Sequence, residues 1–142
     1  MAKEQISVLV VDDDDVAIEA VTRSLERQQV DLPIAVASDG SAALKMLRGE
    51  AGEPPVCSPL MILLDLNMSG MSGLEFLEAL RADPKLHHNV VFVWTTSDSE
   101  HDRAAAYEKH VAGYLVKSST DRRHGYLAHL LRLYQDHVSL HG

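Results

Sequence analysis

The stretch "VLVVDDDDV" (Val8–Val16) places four consecutive aspartates directly after a run of aliphatic residues. The segment that leads into it, Ile6–Val11, carries aliphatic side chains on both of its alternating faces. That pattern is typical of a strand that is covered on both sides, as in a parallel sheet. Four adjacent carboxylates repel one another, so other groups of the folded protein must offset their charge. What surrounds the end of this strand therefore decides both the fold and the chemistry.

The length and the charge of the chain narrow the classes of protein to which it can belong. Its 142 residues suffice for a buried core, and we expect residues 1–142 to form a single domain. The formal net charge of -8 disfavours binding to nucleic acid and to anionic membranes, because phosphate groups would be repelled. We therefore expect neither nucleic acid nor a membrane as a partner.

The sequence also predicts a cytoplasmic protein. Its only cysteine, Cys57, excludes an internal disulfide and suits a reducing compartment. The first residues, "MAKEQ", are polar and do not resemble a signal peptide. The longest apolar run, "PLMILL", is too short to cross a bilayer.

Four further segments share the aliphatic composition of the first strand, and stretches with helical character separate them. Strand and helix alternate in this way five times along the chain. This alternation predicts a doubly wound α/β fold, with a five-stranded parallel sheet, right-handed crossovers and helices on both faces. The predicted strands are Ile6–Val11, Pro33–Ala37, Leu60–Leu64, Val90–Trp94 and Ala112–Val116.

Several residues between the strands are start or stop signals for helices. Gly49 directly follows the helical segment "SAALKMLR" and predicts a C-cap. Ser72 with Glu75, and Ser97 with Glu100, have the spacing of a capping box. We therefore expect one helix to begin after Ser72 and another after Ser97.

Polar residues that can carry chemistry follow four of the five predicted strands. The run Asp12–Asp15 follows the first strand, Asp65 the third, Thr95 the fourth and Lys117 the fifth. In an open parallel α/β sheet, functional sites form beyond the carboxyl ends of the strands. We therefore expect carboxylates, a hydroxyl and an ammonium group to meet at one edge of the sheet.

These groups together favour a magnesium site that serves phosphoryl transfer. Carboxylate and carbonyl oxygens, with room for water, suit the octahedral oxygen coordination of Mg²⁺. A lysine and a threonine add little to a metal site, but they would neutralise an incoming phosphoryl group while a carboxylate attacks it. This edge of the sheet collects two or three carboxylates for such a site. Asp14 and Asp15 are expected to begin the first helix, because a helix N-terminus favours negative charge.

Four motifs, taken together, resemble those of the receiver domains of bacterial two-component response regulators. They are "VLVVDDD", "LMILLDLNMSGMSG", "VVFVWTTS" and "GYLVK", in that order over nearly the whole chain. The resemblance implies a flavodoxin-like, CheY-like sheet with strand order 2-1-3-4-5. It further implies a single-domain response regulator without an output domain, which accepts a phosphoryl group from a sensor histidine kinase and switches protein–protein contacts. Such a protein is not an enzyme beyond catalysing its own phosphorylation and dephosphorylation.

The resemblance assigns an acceptor and a set of metal ligands. Asp65 corresponds to the phosphoryl acceptor. Asp12 and Asp13 correspond to the acidic pair that binds Mg²⁺, with Asp13 the more direct ligand and Asp12 acting partly through water. The backbone carbonyl of Asn67 would complete the protein's share of the metal shell, together with Asp65 itself.

The resemblance also assigns the groups that respond to phosphorylation. Lys117 corresponds to the lysine that pairs with the phosphoryl group. Thr95 corresponds to the hydroxyl that turns toward that group. Tyr114 matches the aromatic position whose rotamer follows the movement of the hydroxyl. Together these residues are expected to change the surface of the fourth helix, the fifth strand and the fifth helix.

Two serines stand where receiver domains usually have proline. Ser69 gives the loop after Asp65 an additional backbone N–H donor, which a proline would lack. Ser118 follows Lys117, where the family often has a cis proline. A cis bond before a non-proline residue costs about 3–4 kcal/mol, so the backbone that carries Lys117 either is trans or is held cis by other contacts.

The C-terminal part of the chain is similar to the stand-alone receivers that are paired with bacteriophytochromes, which often dimerise through the last strand and helix. The similarity lies in "DPKLHHNVVFVWTTSDSEHDRAAAYEKHVAGYLVKS" and "LLRLYQDHV". Apolar residues cover about half of the last helix, more than the ~100° stripe that a surface helix needs. Either the helix is deeply buried or it seats a second subunit, and we expect a homodimer. The residues are Tyr126, Leu127, Leu130, Leu131, Leu133, Tyr134, Val138 and Leu140.

Two other functions are compatible with part of the pattern. A phosphohydrolase of the haloacid dehalogenase type also uses an aspartate, a threonine, a lysine and Mg²⁺. That class usually has a second acid two residues after the nucleophile, where this chain has Asn67, which cannot transfer a proton. The other alternative is a pseudo-receiver that binds partners independently of phosphate, and it is disfavoured by the full set of site residues.

Overall fold

The computed structural model describes residues 6–50, 59–117 and 125–140. Strands and helices alternate strictly along these residues. The strands are β1 (Ser7–Val11), β2 (Ile34–Ala37), β3 (Leu60–Leu64), β4 (Val90–Thr95) and β5 (Gly113–Val116). The helices are α1 (Asp15–Arg27), α2 (Gly40–Arg48), α3 (Gly73–Ala82), α4 (Glu100–Glu108) and α5 (Gly125–His137).

The strands form one parallel sheet in the order β2-β1-β3-β4-β5. This confirms the predicted α/β class and the strand order implied by the resemblance. The predicted strand bounds hold to within one residue. β2 begins at Ile34 because Pro33 has no N–H to donate, although its carbonyl accepts a hydrogen bond from Val8 at 2.9 Å.

Both faces of the sheet are covered, so the core consists of two layers. The side chains of Leu9 and Val11 point into the layer that is shared with α2, α3 and α4. The side chains of Val8 and Val10 point into the layer that is shared with α1 and α5. All of β1 is buried, which explains why it is aliphatic at both alternating positions.

Most of the predicted helix boundaries are confirmed by the hydrogen bonds at the helix ends. Asp14 caps α1 by accepting from the Val16 N–H at 3.0 Å. Gly49 adopts the left-handed conformation, with φ 65°, that ends α2. Ser72 and Glu75 form both hydrogen bonds of a capping box at the start of α3.

The predicted capping box of Ser97 with Glu100 is wrong. The N-cap of α4 is Ser99, whose hydroxyl accepts from the Asp102 N–H at 3.2 Å. The segment repeats the same spacing two residues later, and Ser97 lies too close to the end of β4 for the chain to have turned into a helix. The Ser97 hydroxyl instead donates to the Asp102 carboxylate at 2.6 Å.

Helix α5 uses most of its apolar surface within the monomer. Leu127 and Leu131 are buried, and Tyr126, Leu130 and Tyr134 pack against the same layer. Leu133 remains 50% exposed. Burial therefore explains most of the wide apolar face, and the expected homodimer stays a prediction.

Two sequence features lie wholly or partly outside the described residues. They are the Lys117–Ser118 peptide bond and most of the loop between Gly49 and Pro59. Among the residues that the structure does describe, no helix combines the length and the apolar character needed to span a membrane.

We predict that Gly73→Ala destabilises the protein, because the loop after β3 passes against the start of α3. A Cβ atom at Gly73 would lie 2.4 Å from the Asp65 carbonyl oxygen and 2.6 Å from Leu66 Cα, both backbone atoms. Overpacking of this kind costs about 1–3 kcal/mol in the free energy of unfolding, which urea denaturation measures.

The matched control is Gly125→Ala. Gly125 is also the first residue of a helix, but a Cβ atom there would meet no atom of the described residues within 4 Å. The control is expected to be as stable as the wild type, or slightly more stable. Equal stability of the two variants would contradict the tight packing of α3 against the residues after β3.

Candidate functional site

Backbone hydrogen bonds that continue past the strand ends position the two buried aspartates. Asp12 follows β1, and its N–H donates to the Ala37 carbonyl at 3.0 Å. Asp65 follows β3, and its N–H donates to the Val11 carbonyl at 2.9 Å. Asp12 and Asp65 are 1% and 6% exposed, so both carboxylates lie in a largely water-free environment at the predicted edge of the sheet.

Lys117 lies between these two carboxylates. Its backbone N–H donates to the Thr95 carbonyl at 2.6 Å, which extends the pairing of β4 with β5 by one residue. Its Nζ donates to Asp12 Oδ2 at 2.7 Å and to Asp65 Oδ2 at 3.4 Å. The lysine side chain is only 9% exposed, so this is a buried interaction of one cation with two anions.

The environment of Asp12 acts on its charge in two opposing directions. Burial raises the pKa of the Asp12 carboxyl above its ordinary value. The hydrogen bond from Lys117 and the one from the Asp14 N–H, at 2.9 Å, act in the opposite direction. The raised pKa shows that desolvation outweighs them, so further positive charge near Asp12 would stabilise its ionised form.

Asp13 lies at the open side of the site and is held by the loop after β3. Its Oδ2 accepts from the Ser69 N–H at 3.0 Å, and the Ser69 hydroxyl lies 3.4 Å away. The additional N–H expected from a serine in place of proline is thus the donor to Asp13. The exposed position of Asp13 lets it reach a ligand that enters from solvent.

Three carboxylates converge closely enough to share one metal ion. Oxygens of Asp12, Asp13 and Asp65 all lie within 4.8 Å of one another. Three negative charges against the single positive charge of Lys117 leave two formal negative charges in the cluster. This donor set is hard, anionic and entirely oxygen, and it is accessible on the side of Asp13. It therefore fits a divalent cation such as Mg²⁺.

The remaining predicted ligand, the backbone carbonyl of Asn67, belongs to the loop that follows Asp65. The Asn67 N–H donates to Asp65 Oδ1 at 3.1 Å, which fixes one oxygen of that carboxylate. The Asn67 residue is exposed, so the loop borders solvent beside the three carboxylates. Its role as a metal ligand stays a prediction.

Thr95 and Tyr114 are linked through Ser97. Thr95 is fully buried, and its Oγ1 accepts from the Ser97 N–H at 3.4 Å. The Tyr114 hydroxyl donates to the Ser97 carbonyl at 3.0 Å. The Arg103 guanidinium covers the Tyr114 ring, 5.1 Å from its centroid. The hydroxyl at the end of β4 and the aromatic side chain on β5 therefore contact the same residue of the β4–α4 loop.

Sequence reasoning missed one residue that contacts the charged cluster. The Lys117 Nζ lies over the indole of Trp94, 4.7 Å from the ring centroid. Trp94 immediately precedes Thr95, but its side chain points into the layer of α1 and α5. The signal available in the sequence was that positions 94 and 117 both lie at the ends of neighbouring strands.

Comparisons with known proteins agree with this geometry. The family model described as "Response regulator receiver domain" matches residues 8–125. The response regulator Rcp1 of Synechocystis sp. is 35% identical over 111 residues, which are 78% of this chain and 76% of Rcp1.

Two solved structures show the same similarity in three dimensions. The phosphorylated cyanobacterial phytochrome response regulator RcpA matches with a TM-score of 0.84 and 26% identity, over 96% of this chain and 97% of RcpA. The Mn²⁺-bound form of Rcp1 matches with a TM-score of 0.82 and 29% identity, over 98% of this chain and 100% of Rcp1. The match over most of the chain, together with the cluster of three carboxylates and a lysine at the carboxyl edge of the sheet, settles the family. The chain belongs to the response regulator receiver domains.

Proposed function

We propose that the chain accepts a phosphoryl group on Asp65 from a sensor histidine kinase and switches its protein contacts in response. The observation that carries this proposal is the buried Lys117 ammonium between Asp12 and Asp65, with Asp13 on the solvent side. A cation beside one reactive carboxylate, with two further carboxylates that can hold a divalent metal, is the arrangement that phosphoryl transfer requires.

In the proposed reaction an Asp65 carboxylate oxygen attacks the phosphorus of the donor. The bond between phosphorus and the donor's histidine nitrogen breaks, and the electron pair stays with that nitrogen. Lys117 neutralises a phosphoryl oxygen from its position beside Asp65 Oδ2, and the Asn67 N–H keeps the other Asp65 oxygen in place. A Mg²⁺ ion held by Asp12, Asp13, Asp65 and the Asn67 carbonyl would supply further positive charge at the transferred group.

The proposed response starts at Thr95, which turns its hydroxyl toward the phosphoryl group. The turn would break the hydrogen bond that Thr95 Oγ1 accepts from Ser97, whose carbonyl accepts from Tyr114. A change at Thr95 therefore reaches both the β4–α4 loop and β5. The outcome is a shift between two populated conformations of the α4–β5–α5 surface.

The similarity to phytochrome response regulators, including the bacteriophytochrome response regulators RtBRR and AtBRR, supports a partner of the bacteriophytochrome type for this chain. We propose that the output consists of protein contacts, including a homodimer through β5 and α5, and that the chain is a cytoplasmic switch and not a metabolic enzyme. The net charge of -8 argues against nucleic acid as a direct partner.

Replacing Asp13 by asparagine is expected to weaken metal binding. The change removes one of the three carboxylate charges without altering the buried pair of Asp12 and Lys117. We expect the affinity for Mg²⁺ or Mn²⁺, measured by isothermal titration calorimetry, to fall about tenfold or more, or about 1.4 kcal/mol. Asp15→Asn, an exposed aspartate of the same run, should bind the metal like the wild type. Equal affinities of the two variants would remove Asp13 from the metal site.

Replacing Asp65 by asparagine is expected to abolish phosphorylation, because an amide is not a nucleophile for this transfer. The wild type incubated with acetyl phosphate and Mg²⁺ should gain the mass of one phosphoryl group, as seen by intact-protein mass spectrometry. Asp136→Asn, on the exposed face of α5, should gain the same mass. The acceptor assignment is wrong if Asp65→Asn is still labelled.

Replacing Lys117 by glutamine is expected to slow phosphorylation by acetyl phosphate about 10²-fold or more, because a preorganised donor to the transferred group is lost. Lys85→Gln, at an exposed lysine after α3, should react at the rate of the wild type. Near-ultraviolet circular dichroism checks that both variants are folded. A wild-type rate for folded Lys117→Gln would exclude the proposed role of the ammonium.

A further inference from the structure

The Lys117 ammonium contacts an aromatic face as well as the two carboxylates. Its Nζ lies 4.7 Å from the centroid of the Trp94 ring, and Trp94 is 1% exposed. A cation over an indole face is attracted by the ring quadrupole, and the attraction is stronger where water is excluded. Trp94 is the only tryptophan of the chain, and nothing in the proposed phosphoryl transfer uses it directly.

The indole is braced from helix α5. Trp94 Nε1 donates to the Tyr126 hydroxyl at 3.0 Å. The Tyr126 hydroxyl in turn lies 3.4 Å from the carbonyl oxygen of Val116, the residue directly before Lys117. Tyr126 therefore contacts both the ring under the ammonium and the end of the strand that carries the lysine.

These contacts limit where the ammonium can lie. A lysine side chain has many rotamers, and holding it in one of them costs conformational entropy. The carboxylates of Asp12 and Asp65 attract the ammonium on one side, at 2.7 and 3.4 Å, and the Trp94 face contacts it as well. In this position Nζ already lies beside the proposed acceptor oxygen. It can therefore contact a phosphoryl group there without losing its contact with the indole.

We propose that Trp94 is a positioning residue that holds the Lys117 ammonium at the phosphoryl site, and that Tyr126 braces it from α5. The proposal rests on the proposed function, because the anion that the Lys117 ammonium would contact is the phosphoryl group on Asp65. Helix α5 would thereby support the charged cluster through Trp94, because Tyr126 holds the ring that the ammonium contacts.

The test uses beryllofluoride, a phosphoryl analogue, added to the full chain at saturating Mg²⁺ and followed by ¹⁹F NMR. Trp94→Leu keeps an apolar side chain but removes the aromatic face, and Trp94→Phe keeps a smaller face. We expect Trp94→Leu to bind beryllofluoride about threefold to tenfold more weakly than the wild type, with Trp94→Phe in between. Mn²⁺ affinity without beryllofluoride should be the same in all three proteins, because the three carboxylates are unchanged.

The brace is tested separately with Tyr126→Phe, which keeps the ring and removes the hydroxyl. Exchange of the Trp94 indole N–H with solvent should become about threefold to tenfold faster than in the wild type, because its acceptor is lost. Beryllofluoride affinity should fall in the same direction as in Trp94→Leu. Unchanged indole exchange and unchanged affinity would overturn the role of Tyr126.

A purely structural role of Trp94 predicts a different result. Both Trp94 variants would then lose stability in urea, yet bind beryllofluoride as tightly as the wild type, and that outcome overturns the proposal. If Trp94→Leu does not fold, the beryllofluoride affinities of Trp94→Phe and Tyr126→Phe, compared with that of the wild type, still test the proposal. If the wild-type chain binds no beryllofluoride, the proposed function itself is wrong. If the wild type and the variants bind it equally tightly, only the proposed role of Trp94 is wrong.

Discussion

The buried contact of Lys117 with Asp12 and Asp65 is the interaction on which the rest of the site depends. Each of these side chains is less than a tenth exposed, so none of them can rely on water to stabilise its charge. Removing one partner of such a buried pair leaves an uncompensated charge and costs about 3–5 kcal/mol. The ammonium thus stabilises the folded state as well as serving the proposed chemistry. The ammonium offsets only part of the negative charge of the acidic cluster. The remaining negative charge would favour the binding of a further cation.

The sequence alone predicted the α/β class and the sheet edge where the site residues meet, because both follow from local rules, whereas the strand order and the roles of these residues were implied by the resemblance to receiver domains. Polar residues that directly follow parallel strands must lie at the carboxyl edge of the sheet. The parallel pairing therefore places Asp12, Asp65 and Lys117 at the same edge. The cap at Gly49 and the capping box of Ser72 with Glu75 follow from neighbours within one turn. Predictions of this kind need only the spacing along the chain.

What the sequence did not predict depends on the length of a turn or on contacts between distant segments. "SDSEHD" contains two serines with the spacing of a cap, and only the length of the turn after β4 selects Ser99 over Ser97. The additional N–H of Ser69 was foreseen, but its acceptor, Asp13, is 56 positions away along the chain. The contact of Trp94 with Lys117 requires knowing which face of β4 the indole occupies and how far the lysine bends back over the strand end.

The two ends of α4 are held in different ways, which bears on how a change at Thr95 would spread. At the end of α4 far from the site, the Arg81 guanidinium donates to the carbonyls of His87, Asn89, Lys109 and His110, at 2.7–2.9 Å. Four hydrogen bonds from one partly desolvated cation fix the approach to β4 and the end of α4 together. At the other end, Ser97 donates its hydroxyl to the Asp102 carboxylate and its N–H to the Thr95 hydroxyl. A turn of Thr95 would therefore displace the first turn of α4 and the Tyr114 side chain, while the Arg81 contacts hold the opposite end in place.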